Sequence, residues 1–174
     1  MTLHKLPERG RVRRPNWNLL LDPATGGQHP LIHAGATPEH IGREVAGIAY
    51  LATPYSKVVL DADGLWDQRL SLDASARAAR ASAALARHGV TALSPIVQTA
   101  EMCHCSSLSA RDPGALDPLD AAFWTRWCAP LLAAARAVIV PDIPGWDQSD
   151  GIWAEVVSAL GCNLPVYVYD RGAA

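Results

Sequence analysis

The densest run of residues able to do chemistry is GWDQSDG, Gly145 to Gly151, with Glu155 four residues beyond it. It follows the apolar VIVPDI and opens an amphipathic segment, so it reads as a turn from a buried strand into a helix. Asp147 or Ser149 suits the helix cap and Asp150 the first turn, and the free N–H groups there form an anion site. Glu155 falls about one and a half turns inside, among Ile152, Trp153, Val156, Ala159 and Leu160. A carboxylate on so apolar a segment either faces solvent or forms the floor of a pocket. On spacing alone the solvent-facing reading is favoured.

Two other clusters compete for attention. YLATPYS places Tyr50 within a strand and Tyr55 and Ser56 just after it. A strand tyrosine usually belongs to the core, but one whose hydroxyl faces the strand end can orient a neighbouring carboxylate. CHC, Cys103 to Cys105, invites a metal, yet a lone C-x-C without a second pair is poor for structural zinc. No metal site and no cofactor is expected. The chain shows no Walker loop and no G-x-G-x-x-G.

The elements that must hold these residues become regular at Ala46. AGIAYLAT, VTALSP, AVIVPDI and LPVYVYD read as strands, and SLDASARAARASAALARHG, LDAAFWTRWCAPLLAAAR and SDGIWAEVVSALG as helices. The first helix carries Leu72, Ala76, Ala79, Ala83 and Ala86 near helical spacing, with Gly89 as its stop. VQTAEMCHCSSLSARDPGALDP reads as a long loop. Strands alternating with helices make the chain α/β: a Rossmann-like three-layer domain over residues 46–174, with a parallel sheet of at least four strands. Residues 1–45 show no sustained period and read as an irregular N-terminal arm, anchored by Trp17 and Leu19–Leu21 on the domain or on a neighbouring subunit. Ligands of such sheets bind beyond the strand C-termini. TPYSK, SPIVQ and PGWDQSDG all lie there.

Bulk properties narrow the partners. The 174 residues are 49% hydrophobic and 18% charged with net charge −2, unlike the basic footprint of a nucleic-acid binder. No apolar run is long enough for a membrane span, and no apolar stretch follows the N-terminal Lys and Arg as a secretory signal requires. Four cysteines without such a signal imply free thiols and a cytoplasmic setting.

Taken together, YLATPYS, ALSPIV, FWTRW, VIVPDIPGWDQSDGIWAE and LPVYVY resemble the nucleoside 2-deoxyribosyltransferase superfamily. That superfamily includes deoxynucleoside 5′-monophosphate N-glycosidases, and the chain is most similar to an uncharacterised bacterial and phage domain family within it. The resemblance covers roughly residues 46 to 169, and its specific part is PGW-x-x-S-x-G-x-x-x-E. It implies that Glu155 is the nucleophile at the anomeric carbon and that Tyr50 hydrogen-bonds it. It also implies that Ser149 binds a phosphate and that Gly151 lets the backbone approach the ligand. Tyr55, Ser56, Asp147, Cys128 and Gln98 complete the implied substrate site.

Three positions depart from the pattern. Cys128 stands where members commonly carry an aspartate, Arg136–Ala137 replaces a frequent Cys-Asp, and Gln98 stands where close relatives often have histidine. The expected reaction is N-glycosidic cleavage of a (deoxy)nucleoside 5′-monophosphate, by hydrolysis or base exchange. A nucleotide-binding protein with impaired turnover is the alternative that Cys128 motivates. The expected partners are a small-molecule nucleotide or nucleoside and further copies of the chain in a homo-oligomer, with no nucleic acid and no membrane.

Overall fold

A computed structural model of the chain describes residues 15–21, 29–107 and 115–170. The apolar runs form strands because both of their faces are covered. β1 (Ile32–Ala36), β2 (Ile48–Leu51), β3 (Thr91–Leu93), β4 (Ala137–Val140) and β5 (Val166–Tyr169) make one parallel sheet, in the order β1-β5-β4-β2-β3. Alternate residues of β2 and β4 serve opposite faces, as the pleat requires. Tyr50, Val138 and Val140 pack into one apolar cluster, and Ala49, Leu51, Ala137 and Ile139 into the other.

Helices cover the two faces. α5 (Ala121–Ala134) and α6 (Asp150–Gly161) lie on the first cluster, where Ile152, Val156, Ala159 and Leu160 of α6 are buried. α2 (Pro38–Glu44) and α3 (Gln68–Ala86) lie on the second, contributing Ile41 and Leu85. The chain is therefore a Rossmann-like three-layer α/β fold. From β2 the chain moves outward to β3, and from β4 it moves the other way to β5. The switch point falls between β2 and β4, the place where such sheets open a crevice.

Three sequence expectations differ from the structure. The stretch 1–45 is not wholly irregular: β1 adds a fifth strand against β5, and α2 follows it. Its pattern is hard to see because only its two ends are buried and because the register shifts at Gly35, whose φ is +71°. VQTAEMCHC is not loop but most of α4 (Pro95–Ser107). Pro95 suits a first turn, and Thr99, Ala100, Cys103 and His104 form its buried stripe at helical spacing. On α3 the buried stripe is Ser71, Ala74, Ser75, Ala78 and Leu85, while Leu72 is exposed. Alanine and serine differ too little in hydrophobicity to mark which face turns inward.

The expected anchor of the arm holds at Trp17. It is buried in the first cluster just ahead of α1 (Asn18–Leu21), with Leu20 and Leu21 packed at its side and Leu19 turned outward. The masking of apolar surface is confined to one side of this single turn. No helix among the described residues is long and apolar enough to cross a membrane.

Candidate active site

Glu155 is not a solvent-facing helix residue. α6 turns it toward β2, where the Tyr50 hydroxyl donates to its Oε1 at 2.5 Å. Tyr50 is only 1% exposed and pairs in register with Val138 of β4 and Leu93 of β3, so its ring is fixed by the centre of the sheet. Cys128 of α5 lies against both the hydroxyl and the carboxylate. These three side chains share one wall of a cavity of about 390 Å³ beyond the C-termini of β2 and β4. The volume lies within the usual range for a small-molecule site.

Electrostatics in this wall follow from burial. Desolvation raises the Glu155 carboxyl to about 7, against a smaller lowering effect of the Tyr50 hydrogen bond. Burial first, and the Glu155 charge second, push the Cys128 thiol up to about 11. Tyr50 is pushed far above the ordinary phenol range by the same two causes. At neutral pH both therefore keep their protons, and Tyr50 acts as a fixed donor to the carboxylate.

The N-terminus of α6 lines the same cavity. Gly145 begins the approach with φ +93°, and a Cβ there would meet Val58 Cγ1 at 2.9 Å, so the turn needs glycine. A short 3-10 turn, Trp146–Gln148, then delivers Ser149 to the helix cap, where its Oγ accepts from the Ile152 N–H at 3.3 Å. That contact uses an acceptor lone pair and leaves the hydroxyl proton for a ligand. Lys57, two residues past Tyr55, donates from Nζ to the Gln148 carbonyl at 2.7 Å and pairs with Asp150 Oδ2 at 2.8 Å. Gly151 lines the cavity too.

Trp17 holds this loop from outside. Its Nε1–H donates to the Asp147 carbonyl at 2.9 Å, and its ring meets Trp146 and Trp153 edge-on at 4.7 and 5.4 Å.

Of the residues singled out in the sequence, Tyr50, Tyr55, Ser56, Cys128, Ser149, Gly151 and Glu155 line one cavity. Two do not. Gln98 is exposed on α4, where Thr99 and Ile96 face the cavity instead, because the segment is helical rather than extended. Asp147 sits in the 3-10 turn and does not line the cavity, and its backbone carbonyl serves Trp17. The Tyr55 hydroxyl is tied to Ser71 Oγ at 2.7 Å and receives Trp66 Nε1–H at 3.1 Å, so it braces the wall.

Sequence reasoning missed Lys57, Trp124 and Thr53. All three line the cavity, and the buried Thr53 Oγ1 has no hydrogen-bond partner. Lys57 closes TPYSK, a loop already marked in the sequence as lying beyond a strand C-terminus, and that was the available signal. On α4, Cys103 is buried while Cys105 is exposed, so the CHC thiols point apart. Among the described residues no group of three His, Cys, Asp or Glu side chains is placed to hold a metal.

Residues 47–171 match a family described as a domain of unknown function, DUF1937. The chain belongs to the DUF1937 family. No curated protein and no solved structure matches it. The DUF1937 region contains every cavity-lining residue named above but starts after β1 and α2. Trp17, which grips the Asp147 carbonyl, therefore lies outside the part that DUF1937 defines.

Proposed function

We propose that the site cleaves the N-glycosidic bond of a (deoxy)nucleoside 5′-monophosphate through a glutamate nucleophile. The observation that carries this reading is the Tyr50–Glu155 couple in a cavity that a helix N-terminus also lines. The resemblance to the nucleoside 2-deoxyribosyltransferase superfamily points the same way.

The chemistry is that of a retaining glycosidase. Tyr50 holds Oε1, which leaves Oε2 to attack the anomeric carbon as the bond to the base breaks. The carboxylate stabilises the oxocarbenium-like state and then bonds to it. Water attacks the resulting ester and restores Glu155; a second base in place of water gives base exchange. Ser149, the N–H groups of α6 and Lys57 receive the phosphate, which competes with Asp150 for the lysine. Thr53 Oγ1 supplies an unmet hydroxyl for a polar group of the substrate.

Incubation with a nucleotide panel, followed by chromatography of free base, tests the reading. The 5′-monophosphates should be cleaved on the order of 10- to 100-fold more efficiently than the matching nucleosides, the expected worth of the phosphate contacts. Binding of nucleotides without release of any base favours the alternative, a nucleotide-binding protein with impaired turnover.

The pH profile gives a second check. Only ionised Glu155 is a nucleophile, and its carboxyl sits at about 7. The kcat/KM should therefore climb as pH rises through about 7 and level off above it. A flat profile between mildly acidic and alkaline pH would remove Glu155 from the bond-making role.

A further inference from the structure

Breaking an N-glycosidic bond sends an electron pair to the base nitrogen. A neutral base must therefore be protonated as it leaves, and retaining glycosidases supply that proton from a second carboxyl group about 5 Å from the nucleophile. The wall around Glu155 is built differently. The α5 side chain against the carboxylate is the thiol of Cys128, a weak donor that holds its proton tightly. The Tyr50 proton is already committed to Glu155 Oε1. Among the described residues that line the cavity, the other carboxylate is Asp150, which is paired with Lys57. It lies five residues earlier on α6, about 7.5 Å of helix rise away.

Building on the glycosidase reading, we infer that this site takes nucleoside monophosphates whose base is already cationic at the glycosidic nitrogen, as in a pyridinium nucleotide. Such a base accepts the electron pair of the breaking bond and departs neutral, with no proton donor required. Glu155 Oε2 bonds to the anomeric carbon as the carbon–nitrogen bond breaks. Water then displaces the ester, the carboxylate is regenerated, and the proton of that water goes to solvent. The net reaction turns a cationic nucleotide and water into a sugar phosphate, a neutral base and one proton.

Two further features match this substrate. Its positive ring enters a cavity lined by both Glu155 and Trp124, and both a carboxylate and an indole attract a cation. Its phosphate has Lys57 and Ser149 among the residues lining the same cavity. The bound positive charge also favours the ionised nucleophile, which burial alone disfavours. A zwitterionic ligand thus finds Glu155 for its cation and Ser149, the helix N–H groups and Lys57, once Asp150 gives the lysine up, for its phosphate.

The test uses the full chain and nicotinamide mononucleotide, beside the 5′-monophosphates of adenosine, guanosine, cytidine, uridine and their deoxy forms. Free base is read by chromatography and protons by an indicator dye in weak buffer. The cationic nucleotide should exceed the neutral ones by roughly 100-fold in kcat/KM, the lower range of what a general acid contributes. One proton should appear per base released. Cys128→Asp, which places an acid at the α5 position, should narrow that ratio by raising cleavage of the neutral nucleotides. Neutral nucleotides cleaved as fast as the cationic one by the unaltered chain would overturn the inference and leave the glycosidase reading standing. Release of base from neither kind would overturn both.

Discussion

Glu155→Gln should lower kcat/KM by about a thousandfold or more, on the order of 4 kcal/mol at the transition state. The amide keeps the shape and still accepts from Tyr50, but it removes the charge that meets the oxocarbenium-like state. Affinity for the nucleotide should change far less, because the phosphate contacts of Ser149, Lys57 and the α6 N-terminus remain. A slow 2-fluoro nucleotide should leave its sugar mass on the peptide containing Glu155 in the unaltered protein and on nothing in the variant. Full activity in Glu155→Gln would reduce the glutamate to a helix residue.

The same substitution should stabilise the fold, with a sign set by pH. Burial raises the folded carboxyl to about 7 from an ordinary 4.5. A group shifted upward contributes stability that is complete below about 4.5 and lost as pH rises through about 7. Above 7 the folded protein carries a desolvated charge that the amide lacks. After screening by water in the open cavity, the gain is on the order of 2 kcal/mol. Thermal melts at pH 5 and pH 8 should show the variant gaining at pH 8 and little at pH 5. An equal gain at both would mean that charge burial is not its cause.

Trp17→Ala is the second large effect. It removes a buried indole from the first apolar cluster, together with two edge-on ring contacts and the bond to the Asp147 carbonyl. Large-to-small changes of this kind cost about 3–5 kcal/mol, which lowers the Tm of a domain this size by roughly 10 °C. Trp17→Phe keeps a ring but strands the carbonyl, at a cost of about 1 kcal/mol. Because the lost contacts grip the turn before Ser149, KM for monophosphates should rise more than kcat falls. A melting temperature unchanged in Trp17→Ala would make the segment a passive tail.

The parts of this molecule that announced themselves were those with contrast. AVIVPDI and YLAT are unbroken apolar runs, so β4 and β2 were legible as strands buried on both faces. The turn at Gly145 was legible from its glycine, and the cap was narrowed to Asp147 or Ser149, of which the structure uses Ser149. The orientation of Glu155 was not, since spacing cannot say which side of α6 meets a tyrosine more than a hundred positions away in sequence. The resemblance supplied that link. α4 was hidden by its serines and cysteines, and with it the choice of Thr99 over Gln98. β1 was hidden by Gly35, whose left-handed backbone interrupts the alternation a strand should show.

The sheet order also dictates a schedule. β1 is made first but hydrogen-bonds only to β5, which is the last strand to be made. As the chain emerges during synthesis, β2, β3 and β4 can pair among themselves while the opening segment still waits for a neighbour. Trp17 and Ile32 belong to the same apolar cluster as Val166 and Val168, so that cluster closes only after residues 166–169 exist. Until then one edge of β4 is open to another chain. Docking of the N-terminal segment is thus a late, long-range step, and refolding should show a slower phase in tryptophan fluorescence that Trp17→Phe diminishes.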